Sequence, residues 1–184
     1  CDQKDGRHIE AVLDYEGAPL SLHNFYVPAG GDEPDRKINE KFGHKLDFLG
    51  EMQSRFGKAR QKTTAQRILV GDLNIAPYEH DVWSHKQLLN VVSHTPQEVA
   101  LLEKVRKSHN WIDVARAFVA FEEKLYSWWS YRARDWDISN RGRRLDHIWV
   151  TPALETKVNS YKILREARGW ERPSDHVPVM IDLI

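Results

Sequence analysis

At 184 residues and 21.5 kDa, with 41% hydrophobic residues and seven Trp, the chain suits one domain with a substantial core, and a second is not expected. Lys plus Arg and Asp plus Glu total 27 each, so the net charge is zero and an anionic partner must be held by a local patch. A single cysteine, Cys1, excludes an internal disulfide, and no run approaches the roughly 20 apolar residues that span a bilayer. A soluble intracellular protein of cytoplasmic type, with no membrane partner, is the expectation. Cys1 to Arg7 contains no apolar signal region and no initiating Met, which reads as a processed product or a fragment.

In chain order, Ile9 to Asp14 and Leu20 to Val27 alternate around Glu16-Gly17-Ala18-Pro19 and predict an antiparallel hairpin. From Arg36 to Lys58, Ile38, Phe42, Leu46, Leu49, Met52 and Phe56 recur at helical spacing and place one apolar stripe on a long helix ended by Gly57. Arg67 to Gly71 predicts a short buried strand, with Asp72, Asn74 and Pro77 in the loop behind it. Thr95-Pro96-Gln97-Glu98 offers a capping hydroxyl, a proline at the first helical position and a glutamate at the third, so a helix starts there. Trp111 to Phe121 predicts a short helix. Tyr126 to Tyr131, Leu145 to Val150, Val158 to Leu164 and Val177 to Leu183 predict strands. Mixed in this order, the elements point to an α/β sandwich with a mixed sheet rather than a doubly wound parallel one.

Three polar motifs abut these apolar runs: Gly71-Asp72-Leu73-Asn74, Leu145-Asp146-His147 and Ser174-Asp175-His176. Polar groups at strand ends can present chemistry at the rim of a sheet without being desolvated, and carboxylates with one imidazole so placed suit a divalent cation and an activated water. Each motif alone also has a plain reading. Gly-Asp-x-Asn is an ordinary Asx turn, and single Asp-His pairs are more often structural. His147 falls on the opposite strand face from Asp146 and is not expected to be catalytic. The stretch from Tyr126 to Arg144 interleaves Trp128, Trp129, Tyr131 and Trp136 with Arg132, Arg134, Arg141, Arg143 and Arg144, residues that can stack on bases and pair with phosphates. A core Trp strand followed by a solvated loop is the alternative, and Asp135 and Asp137 dilute the patch.

Taken together, His23-Asn24-Phe25-Tyr26-Val27-Pro28-Ala29-Gly30, Gly71-Asp72-Leu73-Asn74-Ile75-Ala76-Pro77, Asn140-Arg141-Gly142-Arg143-Arg144-Leu145-Asp146 and Ser174-Asp175-His176-Val177-Pro178-Val179 resemble, in order and spacing, exonuclease III, the bacterial abasic-site endonuclease type of the endonuclease/exonuclease/phosphatase superfamily. The resemblance implies a four-layered α/β sandwich with the site between the edges of two sheets, and Mg²⁺ or Mn²⁺ as cofactor. It implies that Asp72 orients or deprotonates the attacking water, Asn74 holds water or phosphate, and Tyr26 contacts the phosphate or the leaving oxygen. His176 would stabilise the phosphorane-like charge, Asp146 would orient His176, and Asp175 would sit at the metal. Trp128 would line a pocket for a flipped-out abasic sugar, with Tyr131, Arg132, Asn140, Arg141 and Arg143 as DNA contacts. Arg143 stands where some relatives carry an aromatic.

The activity implied is 5′ incision at abasic sites, 3′-5′ exonuclease action and cleaning of blocked 3′ ends, on double-stranded DNA, by a protein that is monomeric when complete. The strand ending in Asn and the strand ending in Gln-Glu that open the family pattern are not found. The only Gln-Glu, Gln97-Glu98, opens a helix. The chain therefore reads as the C-terminal two-thirds of one catalytic domain, lacking the main metal-binding glutamate, and is expected to have little or no nuclease activity alone and exposed edges that invite association. The alternatives are a phosphoesterase of the same fold acting on RNA, phosphoinositide or a small phosphoester, and a non-catalytic nucleic-acid-binding module.

Overall fold

The computed structural model of the chain describes residues 6–58 and 64–184, so readings that rest on Cys1 lie outside the described residues. The expected hairpin is β1 (His8–Tyr15) and β2 (Ala18–Tyr26), in continuous register from His8↔Phe25 to Tyr15↔Ala18. Only Glu16 and Gly17 make the turn, both at positive φ, the conformation whose twist suits a two-residue hairpin. Helix α1 (Glu40–Lys58) begins four residues later than the apolar spacing predicts, because the Asn39 carboxamide oxygen accepts from the amides of Lys41 and Phe42 and closes the helix there. Ile38 is consequently exposed.

β3 (Gln66–Asp72) is the expected buried strand, and a single turn, α2 (His85–Leu88), precedes α3 (Pro96–Ser108). The capping box forms as the sequence indicates: Thr95 Oγ1 accepts from Glu98 N, and Glu98 Oε2 accepts from Thr95 N. The helix expected over 111–121 is reduced to α4 (Val114–Phe118), since Ile112 and Asp113 form a short strand, β4. There follow β5 (Trp128–Trp129), α5 (Trp136–Ser139), β6 (Gly142–Arg143), β7 (Asp146–Val150), β8 (Val158–Ile163) and β9 (Val179–Leu183).

The main sheet has the order β1-β2-β3-β7-β4, with β2 and β3 parallel and every other pair antiparallel. The pairs β5-β6 and β8-β9 are linked by the isolated bridge Trp128↔His176 into a second, irregular layer, and Val82↔Arg143 ties β6 to the segment before α2. One face of the main sheet buries Phe25, Leu69 and Trp149 under Leu49, Met52 and Phe56 of α1 and Leu102 and Val105 of α3. Its other face packs Leu20, Ile68, Ile148 and Val150 against Val158, Tyr161, Val179 and Ile181 of the second layer. The outermost layer is short: Trp136 of α5 and Ala167 of the turn Arg165–Gly169 cover Tyr126 and Trp129. This is the expected α/β sandwich, and its two sheets meet at a rim to which β2, β3 and β7 bring polar residues.

Candidate active site

Three neighbouring strands end in one row. Tyr26 of β2 is in register with Asp72 of β3, and Asp72 with Asp146 of β7, so the side chains of all three project from the same face at the sheet rim. Gly71 makes this possible. A Cβ there would lie 1.9 Å from the Phe25 carbonyl oxygen, and its φ of +132° is one that L side chains rarely adopt. The fourth member comes from the opposite sheet. His176 precedes β9 and places Nδ1 2.9 Å from Asp146 Oδ2 and Nε2 3.9 Å from Asp72 Oδ2.

Asp72 and Asn74 are not a generic turn. Asn74 adopts a left-handed conformation (φ 53°), its amide donates to Asp72 Oδ1, and its side-chain nitrogen donates to Asp72 Oδ2 and to the Val27 carbonyl, each at 2.9 Å. The carboxamide nitrogen thereby fixes Asp72, which leaves Oδ1 of Asn74 to meet a water or phosphate. Burial, helped by repulsion from Asp146, pushes the Asp72 carboxyl up to about 6 against the pull of His176 and the Asn74 amide. For His176, burial alone would lower the imidazole. The hydrogen bond to Asp146 and the charges of Asp146, Asp72 and Asp175 outweigh it and raise it. The pair is thus a base of weakened acidity facing an imidazole that tends to hold its proton.

Ser127 completes the support, and sequence reading missed it. Its hydroxyl donates to Asp146 Oδ2 at 2.6 Å and accepts from the amides of Leu145 and Asp146, with no exposure to solvent. A lone serine among aromatics carries no signal for this. The buried ion pair Lys45–Glu98 was missed too: Lys45 Nζ donates to the Asn74 carbonyl at 2.8 Å and holds the Asp72–Asn74 turn from behind.

The remaining predicted residues divide. Asp175 is not brought to the carboxylates as a metal ligand. Its Oδ2 accepts the Trp128 indole N–H at 3.0 Å, whereas the ligand atoms of Asp72, Asp146 and His176 lie within 4.8 Å of one another. Asn140 caps α5 at φ 43° and stays exposed, while its Oδ1 accepts from the Trp129 indole. Arg144, counted in the basic stretch, is fully buried between Asp81 and Asp113. Burial alone would lower its guanidinium, but these two carboxylates raise it. His147 is buried, donates from Nε2 to the Ile75 carbonyl, and has its imidazole pushed down to about 4 by burial and by Arg144, as its strand face predicts.

Trp128, Arg132, Arg141 and Arg143 line one cavity of about 570 Å³ together with Trp83, Val91, Val92 and Ser130. Trp83 is a further residue that sequence reading missed, with the Arg141 guanidinium 4.6 Å over its ring. Tyr131 stays outside this cavity, exposed, with its hydroxyl donating to the Pro173 carbonyl.

The donor set fits a hard divalent cation. Asp72 and Asp146 present adjacent carboxylates whose mutual repulsion such an ion would relieve, and oxygen donors of this kind suit Mg²⁺ or Mn²⁺.

Residues 46–176 match the model of the endonuclease/exonuclease/phosphatase family. Exodeoxyribonuclease III of Haemophilus influenzae is 30% identical over 179 residues, which cover 94% of this chain and 65% of that protein. An AP endonuclease from Archaeoglobus fulgidus superposes with a TM-score of 0.85 at 27% identity, over 96% of this chain and 65% of that one. A 3′-5′ exonuclease from Neisseria meningitidis superposes with a TM-score of 0.86 at 25% identity, over 99% and 66%. The chain therefore spans just under two thirds of the length of the relatives it matches.

Proposed function

We propose, from the premise that the chain belongs to the endonuclease/exonuclease/phosphatase family, that it supplies about two thirds of the catalytic domain of a metal-dependent DNA phosphodiesterase of exonuclease III type. Its substrates in this reading are duplexes with abasic sites or blocked 3′ ends, in the cytoplasm of a bacterial-type cell, and the complete protein acts as a monomer. The observation that carries the reading is the Asp72–Asp146–His176 group at the rim between the sheets, beside the exposed Tyr26.

Asp72, fixed by Asn74, accepts a proton from the attacking water as the water oxygen bonds to phosphorus and the bond to the leaving sugar oxygen breaks. His176, held by Asp146, donates toward the phosphoryl oxygen on which charge develops. Tyr26, on the same row, faces the leaving oxygen or the phosphate. Asp72 and Asp146 would hold Mg²⁺ or Mn²⁺, which supplies charge neutralisation and Lewis acidity at the phosphate.

A single-turnover assay tests this, with the chain in excess over a labelled duplex bearing one abasic site, in Mg²⁺ or in chelator. Slow, Mg²⁺-dependent incision that Asp72→Asn and His176→Ala each reduce by a factor on the order of 100 is expected. Incision insensitive to chelator or to both substitutions would overturn the assignment. Salt-dependent duplex binding with no metal-dependent turnover would favour a binding module instead.

A further inference from the structure

Arg143 is a cation that no carboxylate among the described residues pairs with. It is more than half surrounded, it lines the 570 Å³ cavity, and among the described residues it forms no ion pair. Nη1 donates to the Val92 carbonyl at 3.1 Å and to Ser93 Oγ at 2.7 Å, which fixes the guanidinium. Nε is buried without a partner, and Nη2 makes no hydrogen bond among the described residues. Arg144, next in sequence, has two carboxylates of its own, so the contrast lies between adjacent residues. Burial lowers the Arg143 guanidinium, with only Glu98 opposing.

The same cavity is lined by Arg132 and Arg141, with Asp32 as its single carboxylate. A guanidinium held rigid, partly desolvated and lacking an anion is a poor stabiliser of the fold and a good receptor for one, because its planar donors match phosphate oxygens.

The register says how the cavity relates to the Asp72–Asp146–His176 group. Trp128 is the cross-strand partner of Arg143 on one side and of His176 on the other, so the three residues form a row across adjacent strands. The Arg143 guanidinium lies 5.4 Å over the Trp128 ring. Two strand spacings put Arg143 and His176 about 10 Å apart along the row. That is within reach of the neighbouring phosphate of a strand whose first phosphate sits at His176.

We infer that Arg143, with Trp128 as the floor between, binds a second phosphate of the nucleic-acid strand and makes the site select a substrate that carries one beside the scissile bond. The inference rests on the reading of the Asp72–Asp146–His176 group as the phosphodiester site. It adds a specificity-determining residue whose substrate feature is charge, where an apolar side chain would favour an uncharged sugar.

Binding by fluorescence anisotropy tests this without requiring turnover. The probes are a recessed duplex ending in 3′-hydroxyl, the same duplex ending in 3′-phosphate, and an abasic duplex with a neutral methylphosphonate on one or other side of the lesion. The wild-type chain is expected to bind at least one phosphate-bearing probe about tenfold more tightly than its neutral counterpart. Arg143→Leu should abolish that difference and Arg143→Lys restore part of it, while binding of the neutral counterpart changes less than twofold. A gain for the 3′-phosphate assigns a terminal monoester, and a loss confined to one methylphosphonate assigns an internal diester.

Thermal melting of each variant confirms that it is folded. Equal weakening of all probes by Arg143→Leu in a folded variant, or no discrimination by the wild type, overturns the inference while leaving Mg²⁺-dependent incision intact. Incision that persists in chelator or in both Asp72→Asn and His176→Ala, with discrimination preserved, overturns the phosphodiesterase reading and leaves the phosphate subsite standing.

Discussion

Lys45 and Glu98 form an ion pair that touches no solvent: Nζ lies 2.5 Å from Oε1, and both side chains are completely buried between α1 and α3. Lys45 also donates to the carbonyls of Ala29 and Asn74, and Glu98 accepts from the amides of Ser93 and Thr95. One pair therefore ties two helices to the turn that carries Asp72.

Removing one partner strands the other charge. Lys45→Met and Glu98→Gln are each expected to reduce unfolding free energy by about 3–5 kcal/mol, and the double variant Lys45→Met/Glu98→Leu by less than the sum. Urea denaturation measures all three. A loss under about 1 kcal/mol in both single variants would show that the pair is not needed.

Ser127→Ala is expected to cost about 1–3 kcal/mol of stability, because it leaves the amides of Leu145 and Asp146 without their acceptor, and to slow incision by the still folded variant by roughly tenfold, because the hydroxyl orients Asp146, which in turn holds His176. The expected signature is a fall in single-turnover rate with duplex affinity unaltered, and Ser127→Thr should recover part of it. Equal losses in rate and affinity would assign Ser127 to packing alone.

Cation binding should be visible as stability. At ten times its dissociation constant, Mg²⁺ is expected to raise the unfolding free energy by about 1.4 kcal/mol, read as an upward shift in Tm. Asp72→Asn or Asp146→Asn should remove the shift. A shift of the same size in both variants would place the ion elsewhere.

His23 sets an acid limit. It is buried on β2, edge-on to Phe56 and stacked beside His8, and burial, with opposition from Glu10 and help from His8, pushes its imidazole down to about 4. The unfolded chain, with an ordinary imidazole near 6.5, then binds more protons than the folded one between those values. The contribution of His23 to stability is present above pH 6.5 and is lost as pH falls through about 4, on the order of 3 kcal/mol in all. Denaturation of wild type and His23→Phe from pH 7 to pH 4 should show a shallower decline in the variant. Parallel declines would rule His23 out.

Asp72, Asp146 and His176 were legible in the sequence because each adjoins an apolar run long enough to name a strand, and strand ends in a sandwich converge at a rim. Lys45 was not, since on the helical pattern it occupies a polar position like its neighbours. Its partner Glu98 reads as a capping residue, which it also is. The arginines after α5 divide for a reason that local pattern hides. Arg143 and Arg144 are consecutive in an extended segment and point to opposite faces, and the carboxylates that claim Arg144 lie at Asp81 and Asp113, far away in the chain. The indole partner of Asp175 was not legible, because it comes from another strand pair and is visible only once Trp128 and His176 are bridged.

The row at the rim belongs to the main sheet and His176 leads into β9 of the other layer, so the thickness of the sandwich sets how far Asp72 stands from the imidazole. Ile68 and Ile148 on one side and Val179 and Ile181 on the other act as a gauge block that sets the gap between Asp72 and the imidazole. Trimming or enlarging any of them changes that gap before it unfolds anything. Variants of these four apolar residues, which take no part in the hydrogen bonds of the rim, are therefore expected to slow incision before they lower stability.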